Sequence, residues 1–235
     1  MFNIKFYTKI KIIIFFLLYP FLNKKIKKFI IFLINNFKLS HSQIYQDIFV
    51  YFFSNLKKKG FFVEIGAADG INISNTYLLE KKFCWNGIIC EPNPIHKLSN
   101  LTNRKAILDT NIIDYKDFNK KYFYMNDDTF NSSINKNKKY KKKIYLKTIS
   151  LNSLLKKYKC PETIDYISID TEGNEYSIIK NFNFKKYNVK IFTIEHNFNN
   201  SKRISILNVM KKNNYIRILE NLSYMDDWYV KKDSF

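Results

Sequence analysis

Short apolar runs of β character recur along this chain, separated by helical patterns, and most of them break off at an acid. Phe61-Phe62-Val63-Glu64-Ile65 leads into the turn Gly66-Ala67-Ala68-Asp69-Gly70. Gly87-Ile88-Ile89-Cys90 ends at Glu91-Pro92-Asn93-Pro94, where the prolines forbid further strand. Ala106 to Ile113, which contains Asp109, reads as a third strand and Ile144 to Ile149 as another. Ile164 to Ile169 ends at Asp170, Val189 to Ile194 ends at Glu195, and two terminal strands lie near Tyr215–Leu219 and Trp228–Lys231. Helical patterns cover Ser74 to Lys82, Ser150 to Tyr158 with Ser150 as N-cap, Glu175 to Asn181 and Ser201 to Lys212. Strands alternating with helices imply an α/β fold with a doubly wound, mostly parallel sheet. Ligands of such sheets bind beyond the carboxyl ends of the strands, at the topological switch point. Glu64, Asp69, Glu91, Asp109, Asp170 and Glu195 are therefore expected at one edge, where acids repel one another unless cations or hydrogen bonds compensate.

The turn after the first run has small residues where a backbone must pass close to a ligand. It follows a strand and precedes a helix, and an acid, Glu91, stands about 20 residues on, placed to accept from both ribose hydroxyls of an adenosine. That spacing also suits a nicotinamide cofactor. The GxGxxG pattern is absent, however, because Ala68 occupies the place of its second glycine, and Glu64 and Asp69 flank the turn. Carboxylates disfavour a pyrophosphate and favour the sulfonium and ammonium groups of S-adenosylmethionine.

Longer motifs point the same way. The chain carries Ser42-Gln43-Ile44-Tyr45-Gln46-Asp47, then Phe62-Val63-Glu64-Ile65-Gly66-Ala67-Ala68-Asp69-Gly70 with Ser74-Asn75-Thr76, and Trp85-Asn86-Gly87 with Glu91-Pro92-Asn93-Pro94. Asn103-Arg104, Lys147-Thr148-Ile149-Ser150-Leu151 with Leu154-Leu155, Ile169-Asp170-Thr171-Glu172-Gly173-Asn174-Glu175 and Asp227-Trp228-Tyr229-Val230 come next, in that order. Over about residues 40 to 232 this resembles the FkbM-type methyltransferases, a class I S-adenosylmethionine-dependent family. The resemblance implies a seven-stranded Rossmann-like sheet and the cofactor S-adenosylmethionine. Gly66, Ala67, Ala68, Asp69 and Gly70, with Glu64, would cradle its methionine part. Glu91 with Pro92 would hold the ribose, Asp109 the adenine amino group, and Asp170 would lie near the methyl-bearing end. The family is associated with O-methylation of sugar or natural-product hydroxyls, so a glycan or sugar hydroxyl is the expected acceptor.

Methyl transfer is an in-line displacement on an activated carbon, and positioning supplies most of the rate. A hydroxyl acceptor benefits from a base, for which Asp170, Glu172, Glu195 and His196 are candidates; His196 has the ordinary pKa best suited to neutrality. Against these roles stand plainer ones. A histidine after a strand is most often structural, Glu172 and Glu175 can serve the following helix around Gly173, and Gln43, Gln46 and Asp47 can either cap a helix or close over the pocket. Trp85 and Trp228 read as packing residues. Asp170, Glu172 and His196 offer donors for a divalent cation, but no ligand spacing supports one, and no metal is expected.

The formal charge of +20 invites a nucleic-acid reading. Its lysines, however, accompany an equal crowding of Asn, Ile, Phe and Tyr, residue types that share A- and T-rich codons, so no nucleic-acid partner is expected. The basic stretch Lys136 to Lys143 is the best support for two alternatives: an RNA methyltransferase, or a non-catalytic basic protein binding membrane or nucleic acid. Cys84, Cys90 and Cys160 are too scattered for a zinc site or disulfide framework. Residues 114 to 143 are polar and read as an excursion outside the sheet, with turns at Asn126-Asp127-Asp128 and Asn131-Ser132-Ser133. Residues 1–39 stand apart from the domain at 40–235. Apolar runs at Ile12 to Leu22, interrupted by Tyr19-Pro20, and Phe29 to Ile34 are bordered by lysines and are too short to span a bilayer. No signal-peptide cleavage site is visible after them. A helix packing on the domain, a membrane-surface anchor and a marginal insertion all fit, with the protein expected in the cytoplasm at the inner face of a membrane.

Overall fold

The computed structural model describes residues 4–18, 23–125, 132–134 and 141–234. The chain begins with α1 (Ile4–Leu18) and α2 (Lys24–Asn36), followed by α3 (Gln46–Phe53). The Asn23 side chain caps α2 by accepting from Lys25 N at 2.8 Å. Its Ile26, Phe29, Ile30 and Leu33 recur at helical spacing and bury one stripe. Phe29 meets Phe49 and Phe53 of α3 with ring centroids 5.9 and 5.3 Å apart. This apolar cluster continues into the sheet.

The sheet strands and their helices follow as β1 (Phe61–Ile65), α4 (Tyr77–Phe83), β2 (Asn86–Cys90), α5 (Lys97–Asn103) and β3 (Ile107–Asp109). After an inserted segment come α6 (Leu151–Lys157), β7 (Thr163–Ile169), α7 (Glu175–Lys180), β8 (Asn188–Glu195), α8 (Asn200–Lys212), β9 (Tyr215–Ile218) and β10 (Asp226–Lys231). Seven strands form one sheet in the order β3-β2-β1-β7-β8-β10-β9, and only β10 runs against the rest. Side chains alternate across it. Phe62, Tyr166 and Ile191 join the cluster containing α2, α3 and α4, whereas Val63, Ile167 and Phe192 join a second one with α6, α7 and α8. Both tryptophans pack: Trp85 and Trp228 are each 1% exposed.

Three expectations need correction. The single strand at Ala106–Ile113 is two: β3 in the main sheet and β4 (Ile112–Asp114) in another. Asp109 Oδ1 accepts from Asn111 N at 2.8 Å, which turns the chain between them. The polar excursion is also more ordered than its composition suggests, since β4, β5 (Lys120–Met125) and β6 (Lys142–Ser150) make a three-stranded sheet over Ile112, Phe123 and Met125. The Asn126-Asp127-Asp128 turn, Asn131, Tyr19-Pro20 and most of Lys136–Lys143 lie outside the described residues. Finally, α4 starts at Tyr77 rather than Ser74, because Ser74, Asn75 and Thr76 spend their polar groups on Glu64.

Candidate active site

The chain reverses its direction of travel across the sheet between β1 and β7, and strand register decides what meets there. Ile65 lies opposite both Cys90 and Ile169, and Ile169 lies opposite Ile194. The next residues along the carboxyl edge are thus Glu91, Gly66, Asp170 and Glu195, side by side. Asp226 of β10 pairs with Glu195 and extends the row.

Gly66 makes this edge possible. Its φ is +86°, and a Cβ there would stand 1.7 Å from the Asp170 carbonyl oxygen. Gly66 N donates to Cys90 O and Asp170 N to Ile65 O, each at 2.9 Å, so the turn is sewn to both neighbouring strands. Glu91, which is buried, closes it from the other side. One carboxylate oxygen accepts from Ala68 N and the other from Asn93 N, both at 2.8 Å. Burial raises its pKa to about 7, opposed by these two donors and assisted by Glu64. A carboxylate oxygen has lone pairs for more than one donor, so both can still receive ligand hydroxyls.

The other acids of the cofactor set are already engaged. Buried Glu64 accepts from Asn75 N at 2.6 Å, from the Ser74 and Thr76 hydroxyls, and pairs with Arg104. Asp69 holds its own loop through Ile71 N and Asn72 N. Asp109 accepts from Lys157 Nζ at 2.7 Å and Tyr158 OH at 2.9 Å. Burial pushes its carboxyl up, but hydrogen bonds from Lys157, Asn111 and Tyr158 outweigh that and hold it below the usual range. Pro92 follows Glu91 on the edge, between its carboxylate and Asn93.

The candidate catalytic residues separate into two groups. Ligand atoms of Asp170, Glu172 and Glu195 all lie within 4.8 Å of one another. Burial, then mutual repulsion with Glu172, Glu175 and Asp226, drives the carboxyl pKa of Asp170 and Glu195 well above normal. His196 is not in that cluster. Its Nδ1 accepts from Phe198 N at 3.1 Å, and Nε2 lies 4.0 Å from Asp227. With Nδ1 an acceptor, the neutral ring carries its proton on Nε2, and burial lowers its pKa in spite of Asp227. Glu175 serves the loop: it accepts from Thr171 N, Gly173 N and Lys202 Nζ.

Other contacts were not foreseen. Gln46 at the start of α3 donates to Asp226 Oδ2 at 2.8 Å. Burial raises the Asp226 carboxyl to about 7. Asp47 accepts from Ser40, His41 and Ser42 and fixes the approach to α3. The inserted segment reaches the edge through Ser133, whose hydroxyl donates to the Glu172 carbonyl at 2.8 Å, and through Ser132, 3.4 Å from Asn93 Nδ2. Only the Asn131-Ser132-Ser133 turn signal hinted at this. Arg104, buried beneath the Gly66–Gly70 turn, donates to Gly70 O at 2.9 Å and to Glu80 at 3.0 Å.

Comparison with known sequences decides the family, because the methyltransferase FkbM domain model matches residues 64–224. The chain belongs to the FkbM methyltransferase family. That match spans the glycine turn, the Asp170–Glu175 segment and Glu195, and runs up to the start of β10. No curated protein sequence matches the chain. Among solved structures it is similar to a precorrin-6y C5,15-methyltransferase from Geobacter metallireducens GS-15. That similarity has 11% identity and a TM-score of 0.44, over 77% of this chain and 75% of that one.

Proposed function

We propose that this methyltransferase takes a methyl group from S-adenosylmethionine and delivers it to a hydroxyl, in the first instance of a sugar or glycan intermediate. The single observation that carries the cofactor reading is the Gly66 turn sewn between β1, β2 and β7, with the Glu91 carboxylate folded against it. A side chain at Gly66 would strike the Asp170 carbonyl, so the turn stays tight against the end of β7. S-Adenosylmethionine fits this donor set: Glu91 would accept from the ribose, the Ala67–Gly70 backbone would face the methionine part, and Asp109 lies beyond, towards the adenine end. When bound, the cofactor supplies an electrophilic methyl carbon.

The remaining work falls to this chain's own residues. Asp170 and Glu195 stand where the acceptor would approach and can take the hydroxyl proton or orient it. Glu195 suits that role better than His196, whose two nitrogens face Phe198 N and Asp227. The match to the FkbM domain supports methyl transfer, and the O-methyl chemistry and sugar acceptor rest on the resemblance to that family.

Calorimetry of the full chain with S-adenosylmethionine tests the reading. Binding in the micromolar range, weakened at least tenfold by Glu91→Ala, is expected; absence of binding to a folded protein refutes it. RNA retention that is lost with salt, alongside intact cofactor binding, would instead favour an RNA acceptor.

Residues 1–39 complete the proposal as a membrane-surface anchor. No described helix is long and apolar enough to cross a membrane. In α1, Ile12 turns inward, while Ile10, Ile13, Ile14 and Leu17 form an exposed stripe at helical spacing, Leu17 being 71% exposed. Lys9, Lys11, Lys24, Lys25, Lys27 and Lys28 lie close to it in sequence. An apolar stripe accompanied by lysines suits an anionic lipid surface.

A further inference from the structure

Several acids around the sheet have a cationic partner. Asp109 pairs with Lys157, Asp114 with Lys121, Asp165 with Lys57, Glu175 with Lys202, and Asp227 with Arg203. Among the described residues no lysine or arginine pairs with Asp170 or Glu195, although the chain has 40 such residues and a net charge of +20. Glu195 is only 6% exposed, and its Oε2 has no hydrogen-bond partner. A buried carboxylate oxygen without a partner is costly, and Glu195 is a member of the cluster that it forms with Asp170 and Glu172.

We propose that Asp170, Glu172 and Glu195 form a binding site for a hard divalent cation of the Mg²⁺ or Mn²⁺ type. Three carboxylates make an oxygen-only donor set, which selects such ions over zinc or copper. The spacing also suits one ion. Two oxygens on one hard cation at bonds of about 2.0–2.6 Å stand at most about 4–5 Å apart, and these ligand atoms lie within 4.8 Å of one another. A proton shared between Asp170 and Glu195 is the competing arrangement. It would satisfy two of the acids, but it would leave Glu195 Oε2 open and leave Glu172, which also accepts from Asn197 Nδ2 at 3.4 Å, outside the shared proton. Register makes the site a product of the fold: Ile169 opposite Ile194 sets Asp170 beside Glu195, and the left-handed turn at Glu172, φ +56°, brings the third carboxylate back to them. The cation's role rests on the O-methyl-transfer reading: seated beside the acceptor, it would orient the hydroxyl oxygen and ease loss of its proton, which Asp170, Glu195 or water could take.

The test is a titration of the full chain with Mn²⁺, followed by the electron paramagnetic resonance signal of the free aqua ion and by thermal unfolding. One saturable site per chain is expected, displaced by excess Mg²⁺, with a rise in Tm on Mn²⁺ addition. Asp170→Asn and Glu195→Gln should each weaken binding at least tenfold and abolish the Tm rise, while Glu162→Gln, an exposed acid away from the site, should leave both unchanged. Removal of one acid also relieves repulsion, so the metal-free variants should stay folded. Absence of saturable binding in the native chain, or binding that survives both substitutions, overturns the metal site. S-Adenosylmethionine calorimetry on the same preparations separates that failure from failure of the cofactor reading.

Discussion

Replacing Gly66 by alanine tests how the switch point is built. The new methyl would lie 1.7 Å from the Asp170 carbonyl oxygen, against an ordinary carbon–oxygen approach of about 3.3 Å, so one backbone must retreat by about 1.6 Å. Either retreat strains a 2.9 Å bond, Gly66 N to Cys90 O or Asp170 N to Ile65 O, each worth about 0.5–1.5 kcal/mol. A left-handed backbone with a side chain costs about 1–2 kcal/mol more. The sum is about 1.5–3.5 kcal/mol, a large part of the stability of a domain this size. Urea unfolding should show that loss as a lower midpoint with unchanged slope, and S-adenosylmethionine affinity should fall more than tenfold because Asp170 and the turn move together. Ala68→Gly is the internal control. Its φ is already +46°, so glycine relieves folded-state strain while loosening the unfolded chain, and the net change should stay within about 1 kcal/mol. Wild-type midpoint and affinity in Gly66→Ala would refute the geometric argument.

Arg104→Met should destabilise the chain by about 3–5 kcal/mol in denaturant titrations, because buried Glu64 and Glu80 would lose their shared cation; a loss under about 1 kcal/mol would show that these carboxylates are already satisfied by Ser74, Thr76 and backbone. Glu91 should impose a pH dependence on cofactor binding. With its folded pKa raised to about 7, affinity should climb as pH rises through about 7, by up to tenfold per unit below it, and Glu91→Gln should flatten the profile. In the apo protein the same raised pKa has the opposite consequence for stability. Its contribution is complete below the unfolded value of about 4.3 and is lost as pH rises through about 7, so a wild-type chain whose midpoint rises over that window relative to Glu91→Gln would contradict the assignment. In vesicle flotation, anionic vesicles should carry the full chain at low salt, Ile13→Glu combined with Leu17→Glu should abolish this, and equal flotation with neutral vesicles would exclude the lysine contribution.

Much was legible in the sequence because the responsible patterns are local. A parallel strand buried on both faces is a mostly apolar run such as Tyr166–Ile169 or Val189–Ile194, interrupted only by Ser168, Lys190 and Thr193. The residue after such a run must lie on the carboxyl edge, which placed Gly66, Glu91, Asp170 and Glu195 correctly in the chain. Ser150 announced the start of α6 through its own hydroxyl, which accepts from Ser153 N. The family motifs are likewise linear, and the domain match covers those that lie between residues 64 and 224.

The division of labour among the acids was not legible, because it depends on partners far away in the chain. Glu64 and Glu91 look alike in sequence, yet Glu64 meets Arg104, 40 residues on, and Glu91 turns back to Ala68. Asp227 draws Arg203 and Arg217 and becomes structural, while its neighbour Asp226 takes Gln46 from 180 residues earlier. Sequence alone determined that acids and a glycine turn would gather at one sheet edge. Tertiary structure decided which acids are neutralised by cations and which remain, since pairing is set by strand register and helix placement. Among the described residues no cation reaches Asp170 or Glu195, which stand side by side at the ends of β7 and β8.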